Sequence, residues 1–393
     1  MVNQKIIKLL NNLLVLSLTI FIVFSPYSKK IVKICFFAAI ILAILINILK
    51  LKTGVDKRLF INSPLNKEII FFIIALVLAT IFSLDPYYSQ GILLERFLPY
   101  FIFFSLGNYA VKERNNVIIL IGAIVVGGII LGVGGFYDLF YFRPERLFNS
   151  FGYSVSLARF FVIQIPLSYI LLFFSRNKIL KIGGGLSLIF LFPCLIANSA
   201  RAAWVAVIIS IILVSLNKDK KKNIILLSIL SLGFLCFSGD VRSRALTTLD
   251  PARWGERVSL WKMAIRMFID YPLFGVGLGM QEKLFDSYWR PIWPYLQFKY
   301  WHVHNNYLEV AAESGIVGLI TFIYLIRGFL KKIYIKLKKL KGEEEILLSG
   351  LFFSSISVLI FAVSASNITV GVQETTLVWF LFGMGSGFKS LIE

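Results

Sequence analysis

The chain is poor in the residues that build disulfide frameworks and metal sites. It has three cysteines and two histidines among its 393 residues. The cysteines, Cys35, Cys194 and Cys236, all lie in apolar stretches, so no disulfide framework is implied. There is no Asp-x-Asp pair, no Cys or His cluster with metal-ligand spacing and no Walker A sequence. The sequence therefore predicts no metal site and no cofactor.

Acidic residues are also scarce. The chain has 21 Asp and Glu against 41 Lys and Arg, a formal charge of +20. Such a balance is found in nucleic-acid-binding proteins, but here Lys and Arg form short clusters between apolar stretches, as in cytoplasmic loops of membrane proteins. The chain is 58% hydrophobic with a mean hydropathy of +0.81. These values predict a protein that contacts membrane lipids, with no nucleic-acid partner.

The apolar stretches predict an all-α integral membrane protein with about twelve transmembrane helices, because one span needs about 20 apolar residues. The predicted spans are 7–25, 31–49, 68–84, 91–111, 116–137, 153–175, 179–197, 200–216, 223–239, 306–329, 346–366 and 375–391.

The basic clusters predict the orientation of these spans. They alternate with loops poor in Lys and Arg, and the densest runs from Arg327 to Lys341. Because cytoplasmic loops carry an excess of positive residues, both termini are predicted to be cytoplasmic. One outer loop, 240–305, is far longer than the others, and long loops are usually functional. We therefore expect three units: helices 1–9 in residues 1–239, the loop 240–305, and helices 10–12 in 306–393.

The long loop itself contains a predicted amphipathic helix, from Arg253 to Asp270. Its apolar residues recur at steps of three and four and define one face: Trp254, Val258, Trp261, Ile265 and Phe268. We expect this helix to lie along the membrane surface.

His304 is the strongest candidate for a catalytic residue. It lies where the long polar loop meets an apolar helix, and an imidazole can accept a proton near neutral pH. The alternative is a structural histidine, hydrogen-bonded at a helix start. Asn306 is predicted to cap the helix, with Glu309 completing a capping box. His302 is interpreted as an aromatic residue of the membrane interface.

Small residues follow on the same helix. Gly315 and Gly318, with Ala311, are predicted to line a face that a neighbouring helix approaches closely.

Arginines supply the second signal. Arg201, in a short outer turn, and Arg257, on the loop helix, are candidates to bind an anionic headgroup, since guanidinium donates two parallel hydrogen bonds to phosphate. Arg143 and Arg146 are weaker candidates in another outer loop. The alternatives are a snorkelling anchor for Arg201 and a solvated or ion-paired Arg257. Arg159, inside an apolar run, is interpreted as an anchor at the outer end of its span.

Three stretches resemble the superfamily of O-antigen ligases and Wzy-type polymerases. The most specific is His304-Asn305, followed by nine residues, Gly315, two residues and Gly318. The segment Ser199-Ala200-Arg201-Ala202-Ala203-Trp204 is similar to a second family motif. A third similarity runs from Arg257 to Trp261 and continues at Pro272–Gly277.

This resemblance implies a GT-C-like enzyme of the bacterial inner membrane with a periplasmic active site. Such enzymes transfer a glycan from undecaprenyl diphosphate to an acceptor, here most simply lipid A-core in an O-antigen ligase of lipopolysaccharide biosynthesis. By the same likeness Arg201 and Arg257 hold the diphosphate and His304 activates the acceptor hydroxyl, with support from Asn305, Arg143 and Arg146. Displacement in one step predicts a metal-independent, inverting glycosyltransferase.

Two other functions stay open. Wzy-type polymerases and protein O-oligosaccharyltransferases share the motif region. A transporter is the alternative outside enzymes, although most predicted spans lack the mid-membrane charges of transporters, with Glu95, Arg96 and Arg159 as exceptions.

Overall fold

The computed structural model describes residues 2–53, 63–141, 154–198, 200–217, 255–289, 302–371 and 373–388. These residues form helices joined by turns, which confirms the all-α prediction. The helices are α1 (Val2–Phe24), α2 (Lys29–Thr53), α3 (Asn66–Ile81), α4 (Pro86–Ile92), a π-helical turn (Leu93–Phe97), α5 (Leu98–Ala110), α6 (Arg114–Tyr141), α7 (Ser154–Phe174), α8 (Lys178–Asn198), α9 (Arg201–Asn217), α10 (Gly255–Asp270), α11 (Met280–Lys283), α12 (Phe285–Trp289), α13 (Asn306–Leu337), α14 (Gly342–Phe361) and α15 (Gln373–Gly387).

In the described parts of the chain, seven helical segments are long and apolar enough to cross a membrane. They are Gln4–Phe24, Lys29–Thr53, Arg114–Tyr141, Leu157–Phe174, Lys178–Asn198, Asn306–Leu337 and Gly342–Phe361. Shorter helices, α3, α5, α9 and α15, occupy four more of the predicted spans, and 223–239 lies outside the described residues. The chain is a multi-pass membrane protein.

Close packing between α5 and α15 depends on glycine. A Cβ added to Gly107 would lie 2.2 Å from the carbonyl oxygen of Phe380, and one added to Gly383 would lie 2.0 Å from that of Phe104. The two backbones therefore touch directly, as small residues allow between membrane helices. The cysteines Cys35 and Cys194 are buried free thiols, and Cys236 lies outside the described residues.

The loop helix α10 packs one apolar face against the protein. Its buried apolar residues are Leu260, Met263, Ala264 and Met267, which pack with Val276 and Ala312. The apolar face predicted from the sequence is a different one. It includes Ile265, which is 44% exposed, and Trp254, which lies outside the described residues. That α10 lies along the membrane surface stays a prediction.

α13 is interrupted at Gly315, where φ is 63° and ψ is −163°. The turn after α10 enters this interruption, and backbone groups of the two segments pair. The bonds run from Ile316 N to Pro272 O (2.8 Å), Val317 N to Leu273 O (3.4 Å), Val276 N to Ala312 O (2.9 Å) and Gly277 N to Glu313 O (3.1 Å). In a continuous helix these groups of α13 would bond one another, so the turn satisfies these four groups in their place.

Glycine is required on both sides of this contact. A Cβ on Gly315 would lie 2.3 Å from the backbone of Leu273, and one on Gly275 would lie 2.4 Å from that of Glu313. The expectation that a helix approaches Gly315 is therefore wrong, because the neighbour is a turn. Gly318 faces Ser314 of its own helix instead. The contact fixes α10 against the first half of α13.

Candidate active site

The start of α13 is capped by Asn305. Its backbone is extended (φ −154°, ψ 109°), and its side-chain oxygen accepts hydrogen bonds from the amides of Tyr307 (3.0 Å) and Leu308 (3.1 Å). The prediction that Asn306 caps the helix and Glu309 completes a capping box is wrong. The helix begins one residue earlier than that pairing needs, and Asn305 is the residue that caps it.

Asn306 is instead buried and holds the segment between α14 and α15. Its side-chain oxygen accepts from the amides of Asn367 (2.7 Å) and Ile368 (2.9 Å), and its amide nitrogen donates to the hydroxyl of Thr369. That hydroxyl lies 3.1 Å from the buried carboxylate of Glu309, to which it donates. The first turn of α13 thereby fixes residues 367–369 beside the two histidines.

His304 directly precedes the cap. Its φ of 55° is a conformation that non-glycine residues seldom adopt, and such positions cluster at functional sites. Burial and then the positive charge of Arg257, with smaller effects of His302 and Arg159, lower the pKa of His304 to about 4, and the charge of Glu309 opposes them. His304 is therefore a neutral imidazole at neutral pH, surrounded by cationic side chains.

Arg257 lies on α10 and Arg201 on α9. The two side chains are close enough for the charge of Arg201 to act on Arg257. Although much of Arg257 is exposed, protein atoms near its guanidinium lower its pKa, and the charge of Arg201 lowers it further. Two positive charges held close together repel one another, and a bound anion offsets this repulsion. The structure thus places Arg257 near both Arg201 and His304, while Arg143 and Arg146 lie outside the described residues.

Arg159 of α7 also lies near His304. It is 8% exposed, its Nη2 donates to the carbonyl of Ser366 at 2.8 Å, and its Nη1 lies 3.6 Å from a carboxylate oxygen of Glu374. The interpretation as an outer-end anchor is wrong, because the side chain points into protein. The sequence contains one indication of this ion pair. Arg159 is a lone Arg in an apolar run, and Glu374 is an acid at the start of the last apolar run. Charged residues in spans need partners.

His302 also has a different environment from the one predicted. Its Nδ1 lies 3.7 Å from Oε1 of Glu309, and 26% of its side chain is exposed against 2% for that carboxylate. The ring contacts a buried acid, which an aromatic residue of the membrane interface would not.

These features define a class: an all-helical, multi-pass membrane protein in which a neutral histidine lies among arginines from separate helices. A sequence profile described as O-antigen ligase matches residues 186–323, the part of the chain that carries Arg201, Arg257 and His304. The resemblance to the O-antigen ligase family is confirmed.

A curated relative agrees with this assignment. Over 100 residues the chain is 33% identical to a protein of Rickettsia conorii whose name describes it as a polysaccharide ligase. The match covers 24% of this chain and 23% of the relative, so the likeness concerns about a quarter of each protein.

Proposed function

We propose that the protein is a glycosyltransferase of the bacterial inner membrane that moves a glycan from undecaprenyl diphosphate to an acceptor sugar on the periplasmic face. The proposed acceptor is lipid A-core, which makes the protein an O-antigen ligase. The proposal includes twelve spans, cytoplasmic termini and a periplasmic loop 240–305. It is supported by the family match over residues 186–323.

The observation that carries the proposal is the position of Arg257 close to both Arg201 and His304. Each arginine belongs to a separate helix, and the charge of one acts on the other. A diphosphate supplies the negative charge that offsets this repulsion, and guanidinium groups can bind it through paired hydrogen bonds. The same two charges then stabilise the diphosphate as it leaves.

His304 is the proposed general base. It removes the proton of the acceptor hydroxyl while the acceptor oxygen bonds to the anomeric carbon of the donor. The bond from that carbon to the diphosphate oxygen breaks, and its electron pair stays on the diphosphate. One displacement inverts the anomeric configuration. A bound diphosphate also raises the proton affinity of His304, because its negative charge offsets Arg257 and Arg159.

The test is transfer by the purified protein in lipid nanodiscs. Synthetic undecaprenyl-diphosphate-linked glycan is supplied with lipid A-core, with a second donor molecule, or with an acceptor peptide. Transfer to lipid A-core and its loss in His304→Ala, with donor binding retained, are expected. Product from the second or third mixture alone would instead assign a polymerase or a protein transferase. Absence of both donor binding and transfer would refute the proposal.

A further inference from the structure

Glu309 and His302 form a pair that takes no part in the transfer step proposed above. The Glu309 carboxylate is almost fully buried, and a buried carboxylate is costly unless it is hydrogen-bonded or paired. One of its oxygens accepts from Thr369 at 3.1 Å, and the other lies 3.7 Å from Nδ1 of His302. This distance is that of an ion pair rather than of a hydrogen bond, and contacts in active sites are often long before substrate binds.

This geometry fixes the state of the His302 ring. A carboxylate beside Nδ1 favours the tautomer that carries its proton there, which leaves the lone pair on Nε2. Thr369 holds the carboxylate from its other side, and Thr369 is itself bonded to Asn306. The carboxylate therefore has a fixed position, and only the His302 side chain of the pair is partly exposed, at 26%.

His304 needs such a neighbour. Once protonated, it is a cation beside Arg257 and Arg159, and it must lose that proton before another turnover. His302 is two residues away, close enough that a charge on its ring acts on His304. Glu309 is the acidic group whose charge opposes the arginines at this position.

We propose that His302, held by Glu309, is the second proton acceptor of the transfer reaction. The proton taken from the acceptor hydroxyl passes from His304 to Nε2 of His302, and His304 returns to its neutral form. The imidazolium formed on His302 lies against the Glu309 carboxylate and releases the proton to water from its exposed edge. Glu309 acts through His302 and is a positioning residue. This inference rests on the proposed function.

Nitrogen-15 NMR of histidine-labelled protein tests the pairing without any transfer assay. The chain has two histidines, so each ring gives its own signals, assigned with His302→Gln. The wild-type His302 ring should carry its proton on Nδ1, and Glu309→Gln should change that tautomer. Glu313→Gln is the matched control, a second buried acid one turn further along α13, and should leave it unchanged. A proton on Nε2 in the wild type overturns the pairing.

Chemical rescue tests the role in turnover. His302→Ala should lower the transfer rate about tenfold or more, given the usual contribution of a positioned base. Added imidazole should restore part of the loss, and donor binding should stay unchanged. A wild-type rate in His302→Ala overturns the proposal, and so does a loss that imidazole does not restore. If the wild-type protein transfers no glycan, the proposed function fails, while the NMR result still decides the pairing.

Discussion

Gly277 donates its backbone N–H to the carbonyl oxygen of Glu313 at 3.1 Å, in the place where Val317 of the same helix would donate in a continuous α13. This bond joins the turn after α10 to the helix that follows His304. It links the helix bearing Arg257 to the helix that begins beside His304, so the relative position of base and arginine depends on a backbone contact.

Gly315→Ala should therefore disturb the site from a distance. Its φ of 63° and ψ of −163° suit glycine alone, and a Cβ would lie 2.3 Å from the backbone of Leu273. Backbone strain of this kind costs on the order of 1–3 kcal/mol, before the steric clash is counted. We expect a lower unfolding temperature and weaker donor binding, measured in nanodiscs.

The control is Gly134→Ala in α6. A Cβ there meets nothing within 4 Å, and alanine favours helix. It should leave the unfolding temperature unchanged or slightly raised. Equal stability in Gly315→Ala and Gly134→Ala would show that the turn tolerates displacement.

The apolar runs predicted the helices but not this break. Runs of about 20 apolar residues are sufficient to place α1, α2, α6, α7, α8, α13 and α14. The interruption at Gly315 depends on the turn at Pro272–Gly277, some forty residues earlier, and periodicity within α13 carries no trace of that partner. The side of α10 that packs against the protein likewise depends on residues outside the helix, such as Val276 and Ala312.

Arg201→Lys and Arg257→Lys should both weaken donor binding. Lysine keeps the charge and loses the paired donors, and losing a charge-assisted hydrogen bond costs about 1.5–3 kcal/mol, roughly a tenfold to hundredfold loss in transfer. The alanine variants should be worse. Donor affinity and turnover are measured for each variant, with expression checked.

Arg266→Lys is the matched control for this pair. Arg266 is exposed on the same helix as Arg257, so its replacement should leave donor affinity unchanged. Wild-type affinity in both alanine variants would contradict the diphosphate assignment, and Arg143 and Arg146 would then be the next candidates.

His304 should titrate well below an ordinary histidine. Its pKa is about 4, against 6.5 for the free side chain, because of burial and then the charge of Arg257. NMR titration of the single ring in His302→Gln should show no protonation above about pH 5, since the neutral form persists a unit above the pKa. Arg257→Gln and added pyrophosphate should each raise the pKa, by removing or offsetting a positive charge.

The low pKa of His304 also determines how the stability of the folded protein depends on pH. The folded pKa lies below the unfolded value, so the unfolded chain binds a proton that the folded protein does not between about pH 6.5 and about 4. This group therefore makes the folded state less stable as the pH falls through that window. A His304 pKa near 6.5 that does not change in Arg257→Gln would show that the arginine charges do not act on His304.

Transfer should persist in excess EDTA without added metal. The guanidinium groups of Arg201 and Arg257 supply the positive charge that a divalent ion gives in many phosphate-handling enzymes. The assay compares wild-type turnover before and after chelation. Loss of activity that magnesium or manganese restores would contradict the metal-independent mechanism.

The motif around His304 lies in the part of the chain that matches the family, but it does not distinguish the two adjacent asparagines. Asn305 and Asn306 have identical capping chemistry, and which one precedes the helix depends on where the segment 367–369 docks. The ion pair of Arg159 with Glu374 could not be predicted either, because the two residues lie more than two hundred positions apart in the sequence.

The two asparagines provide the last prediction. Asn305→Asp should be tolerated by the helix, because aspartate caps as well as asparagine. Asn306→Asp should not. The carboxylate still accepts from the amides of Asn367 and Ile368, but it loses the donor to Thr369 and adds a charge near the buried Glu309. Leaving a buried group unsatisfied costs about 1–3 kcal/mol, more when it is charged.

Unfolding temperature and donor binding are measured for both variants. We expect a clear loss of stability in Asn306→Asp alone, and weaker donor binding because the segment 367–369 and the adjoining Ser366, whose carbonyl holds Arg159, shift together. Equal stability of the two variants would mean that the segment is held by Trp379 and Thr375, which also bond to its backbone, and that Asn306 contributes little to the site.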